Sequence, residues 1–280
     1  MHSTHLEIFA EIDGIGSASG LFLKENKLYI IGDNSANLNE FDVSNKQLNK
    51  IKILFNKDLN ASQNIAKADK PDFEVLCNYQ DRLFILGSGS TKNRNLMIDF
   101  NLKSKEIIEH DLTTVYNKIK TTAKIDDDNF NIEGAIFTGK LWLLFNRGNG
   151  INAKNGIFLI KGEDLTNADN PTFVRINLPH INHIESTFTD AILYKNEIFF
   201  IATAEDTNST YNDGAILGSF IGSINLQTLK LNFATKISDV NKFEGICFLK
   251  ESNNKIEFLL CEDRDTEELK STIYRLTMNL

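Results

Sequence analysis

A five-fold repeat constrains this chain more than any other feature of its sequence. In each repeat a small or acidic residue opens a short apolar run, and a second apolar run follows after a polar turn. The five openings are Ser19-Gly20-Leu21-Phe22, Glu74-Val75-Leu76-Cys77, Glu133-Gly134-Ala135-Ile136, Asp190-Ala191-Ile192-Leu193 and Glu244-Gly245-Ile246-Cys247. Successive first positions are 55, 59, 57 and 54 residues apart, a regular spacing that is typical of repeat architectures.

The apolar runs of each repeat predict a hairpin of buried strands, because they are short, continuous and separated by polar turn residues. Further strand-like segments follow each hairpin. A third strand is expected at 38–43, 95–100, 156–160, 222–226 and 271–276, and a fourth at 50–55, 107–112, 173–178 and 231–237. Four antiparallel strands per repeat are typical of a propeller blade. We therefore predict an all-β fold, a five-bladed β-propeller of four-stranded antiparallel blades that forms a single domain over residues 1–280.

The last repeat has no outer strand of its own, whereas the alternating stretch at residues 5–12 belongs to no repeat. We expect this N-terminal stretch to supply the fourth strand of the last blade, which would close the ring and cover a sheet edge. One helix is also predicted. Its helical spacing is shown by Leu112, Val115, Tyr116 and Ile119.

Composition and charge exclude several classes of partner. The net charge of −8 argues against nucleic acid and anionic membranes, since both require a basic surface. No apolar run reaches the roughly 20 residues that a membrane-spanning helix needs. The first residues do not resemble a signal peptide, so we expect a cytoplasmic monomer, or a periplasmic one if a leader was removed. The three cysteines form no close pair in sequence and predict free thiols.

The five openings should meet in space, because the first strand of each propeller blade lines the central channel. The start of that strand and the end of the antiparallel second strand lie at the same mouth. Asn146 and Arg147, at the end of a second strand, should therefore lie beside the openings, together with Ser19. Four carboxylates are expected there, those of Glu74, Glu133, Asp190 and Glu244.

Crowded carboxylates repel one another, and a bound cation would relieve that repulsion. Calcium accepts about six to eight oxygen ligands, which matches this supply of carboxylates and an amide. The predicted ligands are Glu74, Glu133, Asp190, Glu244 and Asn146. Zinc is not expected, because the five histidines fall outside these positions. The alternative is structural: an acidic residue at this position accepts hydrogen bonds from backbone N–H groups of the neighbouring blade.

Several of these motifs resemble a known superfamily. Those at 131–135 (Asn-Ile-Glu-Gly-Ala) and 243–246 (Phe-Glu-Gly-Ile) resemble the signature of the SdiA-regulated and esterase- or phytase-like β-propellers. Residues 19–21 (Ser-Gly-Leu) resemble the start of their first blade, and 261–264 (Cys-Glu-Asp-Arg) an acidic strand end. Asp-Phe-Glu at 72–74 is similar to a motif of an uncharacterised bacterial family in this group. The resemblance implies a propeller that often binds calcium and that, in some members, hydrolyses phosphoesters.

Two functions remain open at this point. The first is a non-catalytic propeller that binds a divalent cation and a small molecule or a protein on its loop-rich face. The second is a metal-dependent hydrolase of an ester, a lactone or a phosphoester. Glu133 or Glu244 would then be the general base, and Arg147 would hold the developing negative charge. A phytase-like enzyme would need more basic residues near the ring than Arg94, Arg147 and Arg264 with nearby lysines.

Overall fold

Five four-stranded antiparallel sheets form the blades of a β-propeller, as the repeat predicts. The computed structural model describes residues 3–55, 62–150, 154–167, 169–207, 214–264, 266 and 268–279. Blade one contains β2 (Ala18–Lys24), β3 (Lys27–Gly32), β4 (Asn37–Asp42) and β5 (Gln47–Lys52). Blade two contains β6 (Phe73–Tyr79), β7 (Arg82–Gly87), β8 (Leu96–Asn101) and β9 (Ile107–Asp111).

The remaining blades follow the same order from the channel outward. Blade three contains β10 (Ile132–Phe137), β11 (Leu141–Asn146), β12 (Gly156–Lys161) and β13 (Asp169–Arg175). A small hairpin of β14 (His180–Ile181) and β15 (Ile184–Glu185) precedes blade four. Blade four contains β16 (Thr187–Tyr194), β17 (Glu197–Asp206), β18 (Ala215–Asn225) and β19 (Leu231–Ser238). Blade five contains β20 (Phe243–Ser252), β21 (Lys255–Glu262), β22 (Lys270–Asn279) and β1 (Thr4–Asp13).

The N-terminal strand closes the ring, which confirms the prediction made for residues 5–12. β1 pairs with β22 in antiparallel register from Thr4 opposite Met278 to Asp13 opposite Lys270. Ile12 of β1 is buried in the core of the last blade. The first and last strands of the chain therefore share one sheet, in which β1 covers the outer edge of β22.

Apolar side chains from facing sheets form the core between neighbouring blades. Between blades two and three the ring of Trp142 stacks on Phe137 at a centroid distance of 4.2 Å, and its indole nitrogen donates to the Glu163 carbonyl. The predicted helix is present as α1 (Thr113–Ala123). Its buried face includes Tyr116, whose hydroxyl donates to the Gly87 carbonyl at 2.7 Å. The helix thus caps the apolar space between these two blades.

Strand boundaries differ from the predicted ones where polar residues begin a strand. The fourth strand of blade one covers Gln47–Lys52 rather than 50–55, and that of blade three covers Asp169–Arg175 rather than 173–178. Much of an outer strand faces solvent, so polar residues also belong to it. The apolar residues therefore do not show where an outer strand begins or ends. All three cysteines are free and buried. Among the described residues, no helix combines the length and apolar character needed to cross a membrane.

Candidate functional site

A β-bulge marks the same position in the inner strand of every blade. At each bulge one residue of the inner strand has no partner on the second strand. These residues are Ser19, Glu74, Glu133, Thr189 and Glu244. A bulge bends the strand and changes the direction of the extra side chain. The bulges therefore place five equivalent side chains at one mouth of the channel, which we call the charged mouth.

The position that the sequence analysis gave to Asp190 in this ring is wrong. The bulge of blade four lies at Thr189, and Asp190 pairs normally with Ile201 one residue further along the strand. The two carboxylate oxygens of Asp190 accept hydrogen bonds from the backbone N–H groups of Ala191 (2.7 Å) and Ile246 (2.9 Å). Asp190 thus links blade four to blade five, and the bulge positions carry three carboxylates rather than four.

Ser19 and Thr189 are the hydroxyl members of the ring, and both bind the following blade. Ser19 Oγ donates to the carbonyl of Phe73, and Thr189 Oγ1 donates to the carbonyl of Phe243 at 2.6 Å. Each acceptor is the residue just before the next bulge. These two ring positions therefore join neighbouring blades, while the glutamates at the other three positions extend into the charged mouth.

Arg147 is the centre of one half of the charged mouth. Its Nη1 lies 3.2 Å from Oε1 of Glu133 and 4.0 Å from Oε1 of Glu244, and its Nη2 pairs with the carboxylate of Glu205. Glu133 Oε1 also accepts a hydrogen bond from Asn131 Nδ2 at 2.6 Å. The other oxygen of Glu133, Oε2, is buried and has no hydrogen-bond partner among the described residues.

Two lysines and a second arginine pair with further carboxylates of the mouth. Lys70 pairs with Asp33, and its Nζ lies 2.7 Å from Oδ1 of Asp72. Arg94 Nη1 lies 2.7 Å from Oδ2 of Asp72. On the far side, Lys242 Nζ lies 3.0 Å from Oε1 of Glu244. Positive side chains thus supply much of the charge that the sequence analysis assigned to a metal ion.

Burial and neighbouring charge shift the pKa values of this mouth. Burial, with Glu244 adding to it and Arg147 opposing it, raises the pKa of Glu133 to about 7. Burial and the carboxylates of Glu133 and Asp72 raise the pKa of Glu74 well above its usual value. Although burial disfavours a cation, the surrounding carboxylates raise the pKa of Arg147 and keep it charged. The mouth therefore combines fixed cations with carboxyl groups whose pKa values are raised.

The side chain of Asn146, a predicted metal ligand, forms hydrogen bonds with backbone groups of two segments. It is fully buried, its Oδ1 accepts from the N–H of Asn131 at 3.1 Å, and its Nδ2 donates to the carbonyl of Lys154 at 3.1 Å. Of the predicted ligands, only Glu74, Glu133 and Glu244 meet at the charged mouth. Arg264 is exposed, whereas Arg147 is buried within the cluster.

None of the residues that complete the site was among the predicted metal ligands or catalytic residues. Asp33, Glu205 and Lys70 reach the site from loops and strand ends. Asp33, Asp72 and Glu74 form a group of carboxylates, in which one oxygen from each residue lies within 4.8 Å of the others. One signal was available. A polar residue stands two positions before three of the bulges, in Asp-Phe-Glu at 72–74, Asn-Ile-Glu at 131–133 and Lys-Phe-Glu at 242–244. In a strand this spacing puts both side chains on one face.

Comparisons with known proteins agree with this architecture. A model of a family of unknown function, DUF6929, matches residues 14–278. No curated protein sequence matches the chain. Among solved structures, a glutaminyl cyclase from Myxococcus xanthus is similar, with 10% identity, a TM-score of 0.56 and coverage of 98% of this chain and 97% of that one.

Two further structures share the fold. The Malassezia sympodialis allergen Mala s 1 has 10% identity and a TM-score of 0.55, with 95% of each chain covered. The Bacillus subtilis arabinanase Arb43A has 9% identity and a TM-score of 0.52, with 96% of each chain covered. At this level of identity the similarity shows a shared fold alone. The superfamily suggested by the sequence motifs is not among these matches, although a propeller fold is common to both.

Proposed function

The chain belongs to the DUF6929 family, whose function is unknown, and we propose that its charged mouth binds a small uncharged or cationic molecule and hydrolyses it with Glu133 as the base. The bond that is broken would be that of an ester or a lactone. Binding of such a molecule without hydrolysis is the simpler form of the same proposal, and a hydrolysis assay distinguishes the two forms.

The state of Glu133 is the observation that supports this proposal most. Its carboxyl group is buried at the channel mouth, its Oε2 has no partner among the described residues, and its pKa is raised to about 7. A general base works best when its pKa lies near the working pH. A carboxyl group that is shifted by burial and by specific charges in a cleft is a candidate for such a role.

The charge balance of the mouth indicates which ligands it would accept. Each of its cations, Lys70, Arg94, Arg147 and Lys242, already lies within ion-pair distance of a carboxylate. A phosphoester would have to compete with those carboxylates for the cations. We therefore favour an uncharged or cationic substrate over the phosphoester that the resemblance suggested.

The neighbouring side chains suggest distinct roles in hydrolysis. The raised pKa of Glu74 would keep it protonated, so it would serve as the acid for the leaving group while Glu133 activates water. Arg147 is held by three carboxylates, so we assign it to positioning Glu133 rather than to holding developing charge on the substrate. Two of the similar structures are named as enzymes, a cyclase and an arabinanase, and propellers host many activities.

Hydrolysis of uncharged esters and lactones by the purified protein tests the proposal. p-Nitrophenyl acetate and a δ-lactone are suitable substrates. We expect Glu133→Gln to lower kcat/KM by about 100-fold or more, and Glu109→Gln, an exposed glutamate on β9, to leave it unchanged. The proposed hydrolysis fails if no substrate is turned over above background, or if both variants retain full activity. Binding without turnover would leave the simpler form of the proposal.

A divalent cation is the second candidate ligand, and one specific observation favours it. The carboxylates of Asp33, Asp72 and Glu74 bring their oxygens within 4.8 Å of one another, and calcium prefers such oxygen ligands. The ammonium of Lys70 lies 2.7 Å from Asp72 Oδ1, so an ion would have to displace it. Residues at this mouth thus fit a calcium ion only in competition with an internal cation.

Calorimetric titration tests whether calcium can replace the ammonium of Lys70 among the carboxylates of Asp33, Asp72 and Glu74. We expect Lys70→Met to bind calcium at least 10-fold more tightly than the wild type, because the competing ammonium is absent. Asp72→Asn should abolish binding, whereas Asp239→Asn, on an exposed loop, should not change it. Absence of calcium binding by both the wild type and the Lys70 variant would exclude the site.

A further inference from the structure

The central channel contains a second site at the opposite end from the charged mouth. The inner strands line a cavity of about 330 Å³ along the part of each strand that follows the bulge. Every blade contributes to its wall. Representative residues from blades one to five are Phe22, Cys77, Phe137, Tyr194 and Phe248.

Tight packing of inner strands lies between this cavity and the charged mouth. A side-chain carbon added at Gly245 would stand 2.9 Å from the Cα of Gly20, so blades five and one touch through their backbones at this level. One added at Gly134 would stand 3.1 Å from the backbone nitrogen of Ala191, so blades three and four are also close. The ions of the charged mouth lie before this level in each strand, and the cavity lies after it.

The side chains that line the cavity are mostly apolar and include no carboxylate, lysine or arginine, although polar atoms also contribute to its surface. Burial raises the pKa values of the thiols of Cys77 and Cys247, so both remain neutral. The hydroxyl of Tyr194 donates to the carboxylate of Glu251 and is already satisfied. Asn78 is exposed at the rim of the cavity, where its side-chain amide is available to orient a ligand. Such a wall favours an uncharged ligand, because burial of a charge here would not be compensated.

Stacking between rings holds the aromatic side chains of the cavity wall in place. Tyr194 stacks on Phe248 with ring centroids 4.2 Å apart, which fixes two rim residues of adjacent blades against each other. Phe137 stacks on the buried Trp142. Binding sites that are formed before the ligand arrives lose less conformational freedom on binding. The cavity is therefore a prepared site rather than a gap between mobile side chains.

The volume of the cavity restricts its occupant to a small molecule. Ligand sites commonly measure about 300–1,000 Å³, so this cavity lies at the lower end of the range.

We propose that this cavity, which we call the apolar pocket, binds a small uncharged molecule that carries an aromatic or branched aliphatic group. Five blades surround the ligand and remove its apolar surface from water, which is the driving force for such binding. The side chain of Asn78 contacts its polar end. This binding does not depend on the proposed function of the charged mouth, because no residue is shared between the two sites.

Titration with 5-fluoroindole, followed by fluorine NMR, tests the apolar pocket directly. The wild-type protein should show saturable binding. Two variants should weaken it at least 10-fold: Asn78→Trp, which places a bulky ring on an exposed rim position, and Leu193→Trp, which fills the wall. The matched control is Leu231→Trp, a partly exposed leucine on β19 that does not line the pocket, and its affinity should equal that of the wild type.

A charged analogue gives an independent measurement. 5-Fluoroindole-2-carboxylate should bind at least 10-fold more weakly than 5-fluoroindole, because its charge would be buried against an apolar wall. Circular dichroism would show that each variant is folded before titration. The proposal is overturned if the wild type shows no saturable binding. It is also overturned if folded Asn78→Trp binds the probe as the wild type does, or if the carboxylate binds equally well.

Discussion

The carboxylate of Asp190 in blade four accepts a hydrogen bond of 2.9 Å from the backbone N–H of Ile246 in blade five. Its other oxygen accepts from the N–H of Ala191, the next residue in its own strand. A buried carboxylate thus satisfies two buried donors on adjacent inner strands. Neighbouring blades are joined elsewhere by hydroxyls, as in the bond from Thr189 to the carbonyl of Phe243. Polar side chains near the channel therefore hold the ring together.

Replacement of Asp190 by alanine should lower the free energy of unfolding by about 2–4 kcal/mol, because it leaves two buried N–H groups without acceptors. Asp190→Asn keeps one acceptor oxygen and should cost less than the alanine variant. Urea denaturation measures both changes. Asp239→Ala removes an exposed carboxylate that pairs with Lys236 and should change stability by less than about 0.5 kcal/mol. Equal stability of the alanine variants at 190 and 239 would contradict the assigned role.

The position of Asp190 also shows where prediction from sequence ends. The repeat and its apolar runs predicted the blades, the ring and the N-terminal closing strand, because these follow from strand periodicity and chain length. Aligning acidic residues placed Asp190 with Glu133 and Glu244, yet the bulge of blade four falls on Thr189. A bulge shifts the pairing of two strands by one residue. The spacing of residues in the sequence does not show which residue forms the bulge.

The ion pairs of the charged mouth were harder still to predict. Glu205 lies at the end of a second strand of another blade, so nothing in the local sequence pairs it with Arg147. Sequence reasoning recognised the excess of carboxylates and proposed an ion to balance it. In the folded chain the positive charge comes largely from side chains that only the tertiary structure brings together.

Replacement of Arg147 by methionine should destabilise the fold by about 3–5 kcal/mol, because it leaves the buried carboxylates of Glu133 and Glu205 without their cation. Urea denaturation at pH 8 measures the loss. The double variant Glu133→Gln/Arg147→Met should be less destabilised than the sum of its two single changes, as expected for coupled partners. Arg175→Met, which affects a largely exposed arginine, should change stability by less than about 0.5 kcal/mol. Additive single changes would show that Glu133 and Arg147 are not coupled.

Titration of Glu133 should make stability fall as the pH rises from about 4.5 to about 7. The pKa of this carboxyl is about 7 in the folded chain, against its ordinary value of 4.5. The folded state therefore keeps a proton that the unfolded state has lost, and stability decreases over that range by roughly 3 kcal/mol at most. Below the lower value both states are protonated, and above the higher value both are ionised, so the contribution is constant there.

Glu133→Gln removes this titration and provides the comparison. Melting temperatures at pH 5, 6, 7 and 8 should show the wild type losing stability relative to this variant between pH 5 and pH 7. Glu109→Gln, at an exposed position, should follow the wild type at every pH. If the difference between Glu133→Gln and the wild type does not change with pH, the pKa of Glu133 is not raised. Any hydrolytic rate that depends on Glu133 as a base should increase over the same range of pH.

Removal of residues 1–12 should lower the melting temperature by on the order of 10 °C or more, because β22 then loses its outer partner along the register from Thr4 to Ile12. The buried Ile12 is lost, and the core residues that it covers become exposed. An open strand edge also promotes pairing with other chains, so the truncated protein should associate as its concentration increases. A peptide of residues 3–13 should restore the melting temperature, as strand addition to a sheet edge predicts. Removal of residues 1–3 alone, which spares β1, is the control and should leave the melting temperature unchanged. A truncated chain that melts like the intact one would mean that β1 contributes nothing to closing the ring.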